Sequence, residues 1–185
     1  MKKLLFVGSL VLFAIGCTQN ETKKEDAMSG TKMTDSTGNE KMEYVYTTES
    51  NGNWETGSRE NAANVLKALK AFETNNIAEC MNYFADSVEI RFDKLNAKLS
   101  NDSLAKFFAA GRNTMTSYVI KMEDWESVKS KDGSKEYVSL WYNEIWTDNK
   151  GKTDSISVMD DVLIKNGKIA SIDQKIRHFP DGKKM

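Results

Sequence analysis

The first apolar segment of the chain is an almost unbroken run of twelve residues, Leu4 to Ile15, preceded by the cationic start Met1-Lys2-Lys3. A run of this length falls within the roughly 7–15 residues of a signal-peptide core and is shorter than the roughly 20 residues of a membrane-spanning helix. We therefore predict that residues 1–16 are an export signal and lie outside the folded part of the chain.

A long polar segment follows this run. From Thr18 to Met42 the chain has no aromatic residue, and its few apolar residues are one alanine and three methionines. Such a composition cannot bury enough surface to offset the conformational entropy lost on folding, so residues 17–43 are predicted to form a disordered tether. Residues 44–57 combine the strand-like Tyr44-Val45-Tyr46 with the turn-like Asn51-Gly52-Asn53. These residues therefore predict an arm, and the pattern does not decide whether it forms a strand or a turn.

Helical periodicity begins at Ser58, a favourable N-cap residue. Apolar residues then recur at three- and four-residue spacing, which predicts a helix from Arg59 to about Glu73. The pattern predicts a second helix from Ile77 to about Ala85, and a third helix capped by Asn101 or Asp102. Between the last two, the alternation of Val88, Ile90 and Phe92 with charged residues predicts a strand.

The rest of the chain has the period of strands. Segments rich in Val, Ile, Trp and Tyr are separated by Asp132-Gly133, Asn149-Lys150-Gly151 and Asn166-Gly167, which are typical hairpin turns. The predicted strands are 117–129, 137–148, 155–165 and 168–178, in an antiparallel meander. Helices followed by a sheet define an α+β domain over residues 58–180, with a short tail at 181–185.

Both alternating sets of the strand at 137–147 carry large apolar side chains. One set contains Tyr137, Trp141 and Ile145, and the other contains Leu140, Tyr142 and Trp146. Helices can cover only one face of the sheet, so we predict that the second face is covered by another copy, forming a homodimer. The alternative is a monomer whose aromatic residues cover long twisted strands.

Charge and composition exclude several classes of protein. The 185 residues carry 26 Lys and Arg against 27 Asp and Glu, a net charge of -1, which argues against a nucleic-acid partner. The only histidine is His178, and Cys17 and Cys80 are the only cysteines. No four-ligand metal site or disulfide scaffold can be built from them, and no cofactor motif is present. Cys80 is predicted to be a packed core residue.

The end of the apolar run adds a second signal. Ala14-Ile15-Gly16-Cys17 resembles the lipobox of bacterial lipoproteins, in which small residues precede a cysteine that is lipidated. The resemblance implies acylation of Cys17, palmitate included, and anchoring to a membrane of the bacterial cell envelope. Thr18 after the cysteine, by resemblance to sorted lipoproteins, favours the outer membrane. The alternative is an ordinary secretory signal with an incidental cysteine.

The order of elements and three local patterns resemble a known fold. Ala71 to Ile77, Tyr83 to Asp86 and Asp161 to Ile169 are similar to segments of the nuclear transport factor 2-like, or SnoaL-like, α+β cone domains. The resemblance covers roughly residues 58–179. It implies three helices closing the concave side of a curved sheet around a pocket, and it is compatible with dimerisation through the convex face.

The best-known enzymes of this fold, the ketosteroid isomerases, use a tyrosine, a carboxylate base and a protonated aspartic acid. In register with that pattern, the tyrosine position is Ala68 and the base position is Phe92. Only Asp161 matches, at the position of the hydrogen-bonding acid. The chain is therefore not expected to perform ketosteroid isomerase chemistry, although Asp161 is the candidate acid or base for another reaction.

Aromatic residues give the clearer hypothesis. A cone lined by them, with Asp161 or Asn143 as a polar point, suits a flat apolar ligand. We predict a small, mostly apolar ligand as the partner of this domain, and no cofactor or metal. The alternatives are an enzyme using Asp161 and a non-catalytic dimeric interaction module. The candidate ligand-binding residues are Tyr83, Phe92, Phe107, Tyr118, Trp125, Trp141, Asn143 and Asp161.

Overall fold

The computed structural model describes residues 45–46 and 53–179. The predicted export signal, Cys17, the tether and the tail lie outside the described residues. The chain divides into two units, residues 1–47 and 48–185. In the first unit Val45 and Tyr46 are both exposed. Among the described helices, none is long and apolar enough to cross a membrane.

Three helices and seven strands occupy residues 53–179. The helices are α1 (Arg59–Glu73), α2 (Ile77–Met81) and α3 (Asn101–Arg112). The strands are β1 (Trp54–Thr56), β2 (Phe84–Phe92), β3 (Leu95–Ser100), β4 (Met115–Ser130), β5 (Glu136–Asp148), β6 (Thr153–Lys165) and β7 (Lys168–His178). The predicted α+β class is confirmed, with the helices between and before the strands of one curved sheet.

The sheet has the strand order β1-β4-β5-β6-β7-β2-β3. Strands β4 to β7 form the predicted antiparallel meander. Strand β2 pairs in parallel with β7, so the sheet is mixed. The β6–β7 turn places Asn166 and Gly167 at φ 51° and 72°, as a type I′ turn requires. This turn fixes the register of β6 against β7, which places Asp160 opposite Gln174.

Helix α1 matches its predicted bounds. Ser58 caps it by accepting a hydrogen bond from the Asn61 backbone N–H at 3.2 Å. At its other end, the Glu73 carboxylate accepts a hydrogen bond from the Ile120 backbone N–H at 3.3 Å. The second of these bonds ties the end of α1 to β4.

Three boundaries differ from the prediction. Helix α2 ends at Met81 because β2 already begins at Phe84, which pairs with Ile169. Strand β3 was not predicted; it pairs only with β2, and its apolar residues are half-buried rather than buried. Ser100, rather than Asn101 or Asp102, caps α3 by accepting from the Ser103 backbone N–H at 3.2 Å. Part of the arm, Trp54–Thr56, forms the short strand β1.

The hydrophobic core lies between the inner face of the sheet and the helices. Strand residues of β5 and β6 alternate strictly, so Val138, Leu140 and Tyr142 face inward beside Val158 and Val162. Helix α1 contributes small residues, Ala62, Ala68 and Ala71, with Val65 between them. Because most of the inward side chains of α1 are small, the helix and the sheet do not fill all the space between them.

Candidate functional site

A cavity of about 330 Å³ lies between the inner face of the sheet and the helices. Its walls are almost entirely apolar, and aromatic side chains dominate the part formed by the helices and β2. The aromatic wall residues are Phe72, Phe84, Phe92, Phe107 and Phe108. They contact one another edge-on or tilted, with ring centroids 5.2 Å apart for Phe72 and Phe108 and 6.4 Å apart for Phe92 and Phe107. The aromatic residues therefore line the space without closing it.

The mouth of the cavity lies beside α3. Among its lining residues, Phe107, Ala110 and Gly111 are exposed, and all three belong to that helix. Phe107 has 42% of its surface exposed although its ring packs near Phe92. A large apolar side chain held half in solvent at a cavity mouth is available to contact a bound molecule.

One end of the cavity is polar. Four strand residues point into it from the inner face, two tyrosines and two acids: Tyr118, Tyr142, Glu144 and Asp160. Tyr142 donates from its hydroxyl to Oδ2 of Asp160 at 2.7 Å. The Tyr118 hydroxyl is hydrogen-bonded to Glu144. Gln174, on β7 opposite Asp160, completes this end.

Asp160 is the least satisfied of these groups. Only 5% of its surface is exposed, and its Oδ1 is buried with no hydrogen-bond partner in the described part of the chain. Burial raises the pKa of Asp160 to about 7, against the hydrogen bonds from Tyr142 and Gln174, which favour the ionised form. Near neutral pH this carboxyl can therefore hold or release a proton.

The pKa values of Glu144 and of the two tyrosines are also shifted. Burial raises the pKa of Glu144, while hydrogen bonds from Tyr118 and Tyr142 oppose that rise. Burial, together with the nearby carboxylates, also raises the pKa values of Tyr118 and Tyr142. Both phenols therefore stay protonated and act as hydrogen-bond donors to the two acids.

The nearest guanidinium to the polar end lies behind Tyr118. Arg112 is buried at the end of α3, with its central carbon 4.9 Å from the centre of the Tyr118 ring. It donates to the backbone carbonyls of Phe72 and Glu73, at 3.1 and 3.3 Å. Arg112 thus satisfies the end of α1 and holds Tyr118 in place, and it does not line the cavity.

Three of the residues predicted from sequence line the cavity: Phe92, Phe107 and Tyr118. The others are not among its lining residues. Tyr83 packs at the edge of the core, and Trp125 is 41% exposed. Trp141 and Asn143 belong to the outward-facing set of β5, where the Asn143 amide donates to Oε1 of Glu123 at 2.5 Å.

The position expected for Asp161 is wrong. Asp161 follows Asp160 on β6, so its side chain lies on the opposite face of the sheet. There it accepts a hydrogen bond from Ser139 at 2.7 Å and pairs with Lys175 at 3.1 Å. Its cross-strand neighbour is Asp173, and Lys175 also lies 3.5 Å from that carboxylate. Asp161 is part of an outer charge cluster, and the acid of the cavity is Asp160.

Sequence reasoning missed Tyr142, Glu144, Asp160 and Gln174. A signal was available: Asp160 interrupts the apolar set Ile156, Val158, Val162 and Ile164, and Glu144 interrupts the corresponding set of β5. A charged residue in an otherwise apolar alternating set points toward the core. Ala68 and Phe92 both line the cavity, as their register with the isomerases implied.

Cys80 also lines the cavity, but it is not a candidate nucleophile. It is 1% exposed, and burial raises the pKa of its thiol to about 12, with Glu79 adding to the effect. A thiol in this environment stays protonated and unreactive. Within residues 53–179, no group of three or more His, Cys, Asp and Glu side chains is placed to hold a metal ion.

No protein-family model matches the chain, and neither does any curated protein. Solved structures do match it. An NTF2-like protein of unknown function from Burkholderia pseudomallei has a TM-score of 0.55 at 11% identity, covering 65% of this chain and 92% of its own. An LEH-like epoxide hydrolase from M. tuberculosis has a TM-score of 0.52 at 11% identity, covering 64% and 83%.

A third similar structure is TerC, co-crystallized with polyporic acid. It has a TM-score of 0.53 at 14% identity and covers 64% of this chain and 92% of its own. At such identities the likeness concerns the fold alone. The domain therefore has the NTF2-like cone fold that the sequence resemblance implied, and the function must be argued from its cavity.

Proposed function

We propose that this protein is a lipid-anchored lipoprotein of the cell envelope whose cone-shaped domain binds a small, mostly apolar ligand. The observation that carries the binding function is the cavity of about 330 Å³, with apolar walls and one polar end. Pockets of this kind bury most of a ligand's surface, while a few polar groups fix its orientation. The space between the helices and the sheet is open, rather than filled by its aromatic side chains.

Two of the structural neighbours are compatible with this proposal. TerC was co-crystallized with polyporic acid, and the M. tuberculosis protein is described as an LEH-like epoxide hydrolase. Both carry the same fold as this chain, so the fold is suited to small molecules. The apolar walls and the four polar side chains of the present cavity define its own ligand, whose chemistry need not match either neighbour.

The anchor in this proposal is Cys17. The sequence Ala14-Ile15-Gly16-Cys17 supports it, as does the polar segment between Cys17 and the folded domain. About 0.8 kcal/mol per buried methylene makes two or three acyl chains a stable anchor. The tether would then hold the cavity outside the lipid layer, at the surface of the outer membrane.

The experiment that tests ligand binding uses a side chain to fill the cavity. The probe is N-phenyl-α-naphthylamine, which fluoresces in apolar surroundings, added to the full chain with Cys17→Ser so that no lipid competes. Ala68 is 3% exposed and lines the cavity, whereas Ala63 is exposed on the same helix. Ala68→Trp should weaken binding by about tenfold or more, and the matched control Ala63→Trp should leave it unchanged.

Two results would count against the binding function. If the probe does not bind the wild-type domain, the cavity is not a site for molecules of this class. If it binds equally to Ala68→Trp, when circular dichroism shows that variant to be folded, the probe binds elsewhere on the surface.

A second candidate function is proton transfer, with Asp160 as the general acid or base. The observation that favours it is the position of Asp160 in the cavity wall, together with its pKa of about 7 and an Oδ1 that has no partner among the described residues. The test is deuterium uptake from solvent at the methyl group of α-acetonaphthone. Catalysis by the wild type that is lost in Asp160→Asn supports an enzyme, and uptake at the uncatalysed rate argues against one.

We also propose that the domain forms a homodimer through the outer face of the sheet. Val119, on the outward set of β4, is 44% exposed, its partner Ile145 on β5 is half-buried, and Trp141 is half-buried further along β5. The helices cover the inner face only. A second copy would cover the apolar part of this outer face, and the measurement that decides it is given in the Discussion.

A further inference from the structure

The polar end of the cavity has a marked imbalance between donors and acceptors. The hydroxyls of Tyr118 and Tyr142 are directed to Glu144 and Asp160, and the Gln174 amide also hydrogen-bonds Asp160. The phenolic protons are therefore committed within the protein. Asp160 lines the cavity, and its Oδ1 is buried with no hydrogen-bond partner among the described residues. With Asp160 ionised, the free hydrogen-bonding capacity of this end is an acceptor, and a ligand must bring the donor.

The acidic groups that line the cavity also lack a cationic partner among the described residues. The residues described as lining the cavity include Glu144 and Asp160, and none of them is Lys, Arg or His. Arg112 stands behind the Tyr118 ring, where its hydrogen bonds go to backbone carbonyls and to the sulfur of Met115. No cation therefore contacts either carboxyl within the cavity. A buried carboxylate without a cationic partner is costly, so the site favours a ligand that supplies the positive charge.

We propose that the ligand of this cavity is an amine: a small aromatic or aliphatic body with one protonated amino group, which donates to Oδ1 of Asp160. The inference rests on the proposed binding function and adds the class of ligand. The apolar body lies against the aromatic wall, and the ammonium group lies at the polar end. An ammonium ion is the donor that satisfies both the open acceptor and the missing charge.

The aromatic residues support the same orientation. Tyr118 and Tyr142 lie at the polar end, and their ring faces attract cations as well as apolar groups. The walls from Phe72 to Phe108 offer no side-chain hydrogen-bonding group to a second polar substituent. A ligand with one charged end and one apolar body therefore matches the cavity, whereas a molecule that is polar at both ends does not.

Proton linkage follows from the state of Asp160. The titratable groups around Asp160 are Tyr142 and Glu144 on β5, Tyr118 on β4 and Cys80 on α2. Gln174 on β7 is uncharged, and Arg112 of α3 lies behind the Tyr118 ring. Asp161, on its own strand, adds a repulsive charge from the outer face. Binding a cation favours the ionised form of Asp160, so it releases a proton. Affinity for the amine should rise with pH through the region near 7.

The test compares three probes of one skeleton, each smaller than the cavity: α-naphthylmethylamine, α-naphthylmethanol and α-methylnaphthalene. Binding to the full chain with Cys17→Ser is measured by titration calorimetry at about pH 5 and about pH 8, where the free amine is protonated. We expect the amine to bind about tenfold or more tightly than the alcohol at the higher pH. That preference should shrink by about tenfold at the lower pH.

A pair of variants isolates the carboxyl. Asp160→Asn should abolish the preference for the amine and retain binding of α-methylnaphthalene. Asp161→Asn removes a carboxylate from the opposite face of the same strand and should retain the preference. If Asp160→Asn does not fold, the pH dependence of amine and alcohol binding to the wild type decides the question alone.

The outcomes separate this inference from the binding function on which it rests. If the alcohol or the hydrocarbon binds as tightly as the amine at about pH 8, the ligand is not an amine, and the apolar binding function stands. If none of the three probes binds, the proposed binding function is wrong, and the inference that rests on it is wrong as well.

Discussion

The hydroxyl of Tyr142 lies 2.7 Å from Oδ2 of Asp160, and both side chains are almost completely buried. The two residues face each other across β5 and β6, displaced by one inward position, since Tyr142 pairs with Val158 and Asp160 with Leu140. The hydrogen bond occupies one oxygen of the carboxyl, and the other, Oδ1, has no hydrogen-bond partner in the described part of the chain. The polar end is therefore organised by a bond between two sheet residues, before any ligand enters.

The first prediction concerns this bond. Tyr142→Phe keeps the ring and removes the donor to Asp160, so a buried carboxylate loses a partner. We expect the free energy of unfolding to fall by about 1–3 kcal/mol at about pH 8, measured by urea denaturation. The loss should be smaller at about pH 5, because a bond to the protonated acid is weaker than one to the carboxylate. Tyr137→Phe, on the outward set of the same strand, is the control and should change stability little.

The second prediction concerns stability against pH. The pKa of Asp160 is raised from 3.8 to about 7 in the folded state, so the folded protein binds a proton more readily than the unfolded chain between those values. Stability from this group is therefore present at low pH and is lost as pH rises from about 4 to about 7. The raised pKa of Glu144 acts in the same direction.

The measurement compares Asp160→Asn with the wild type across that range. The variant should gain stability relative to the wild type as pH rises, by a few kcal/mol in order of magnitude. Asp161→Asn controls for the loss of one negative charge from the same strand. A difference between Asp160→Asn and wild type that stays flat from about pH 4 to about pH 7 would show that Asp160 ionises normally.

The third prediction concerns Arg112. Arg112→Met removes the guanidinium donor from the carbonyls of Phe72 and Glu73, of which the first keeps the Asn75 backbone N–H, and it removes the cation from the face of Tyr118. We expect a loss of about 2–4 kcal/mol in the free energy of unfolding. Arg91→Met is the matched control, because Arg91 is half-exposed on the outer face and pairs with Glu89. It should cost less than about 1 kcal/mol. Equal losses of stability in Arg112→Met and Arg91→Met would contradict this role of Arg112.

The fourth prediction concerns the anchor. When the full chain is expressed in a Gram-negative host fed with an alkyne analogue of palmitate, it should incorporate the label and sediment with the outer membrane. Cys17→Ser should remove both properties, whereas Cys80→Ser should retain them, since Cys80 is buried in the folded domain. Label on the Cys17→Ser variant would refute lipidation at that residue.

The fifth prediction concerns the outer face. Light scattering of the Cys17→Ser chain should give the mass of two copies, and Val119→Glu should convert it to one. Met122→Glu places the same charge on the alternate, inward set of β4, at a residue that is 38% exposed, and should leave the dimer intact. A wild type that has the mass of one chain at all concentrations would overturn the dimer.

The meander and α1 could be predicted from sequence because their signals are local. The N-cap at Ser58 and the positive φ at Asn166 and Gly167 need only neighbouring residues. Strand β3 was missed since its stability comes from β2, which it pairs with, and its own pattern of half-buried Leu and Ala is weak. The parallel pairing of β2 with β7 joins residues far apart in sequence, and no local pattern reports it.

The site was harder to predict because it depends on which of the two alternating sets of side chains on each strand faces inward. On β5 both alternating sets carry aromatic residues, so the sequence did not show that Trp141 and Asn143 would face outward. On β4 the register shifts between Met122 and Asp124, which changes the face of everything beyond it, Trp125 included. Phe92, Phe107 and Tyr118 line the cavity, and their role in binding a ligand stays a prediction.

The pair Asp160-Asp161 has a consequence for how this domain tolerates insertions and deletions. A shift of β6 by one residue would still deliver a carboxyl to the cavity, because the neighbouring residue is also an aspartate. The rest of the strand would not survive the exchange, since Val158 and Val162 would turn outward and Met159 and Leu163 would replace them in the core. The length of the turn at residues 149–152 is thus a constraint on chemistry as well as on packing. Shortening it by one residue would exchange the acid that Tyr142 holds for the one that Lys175 now neutralises.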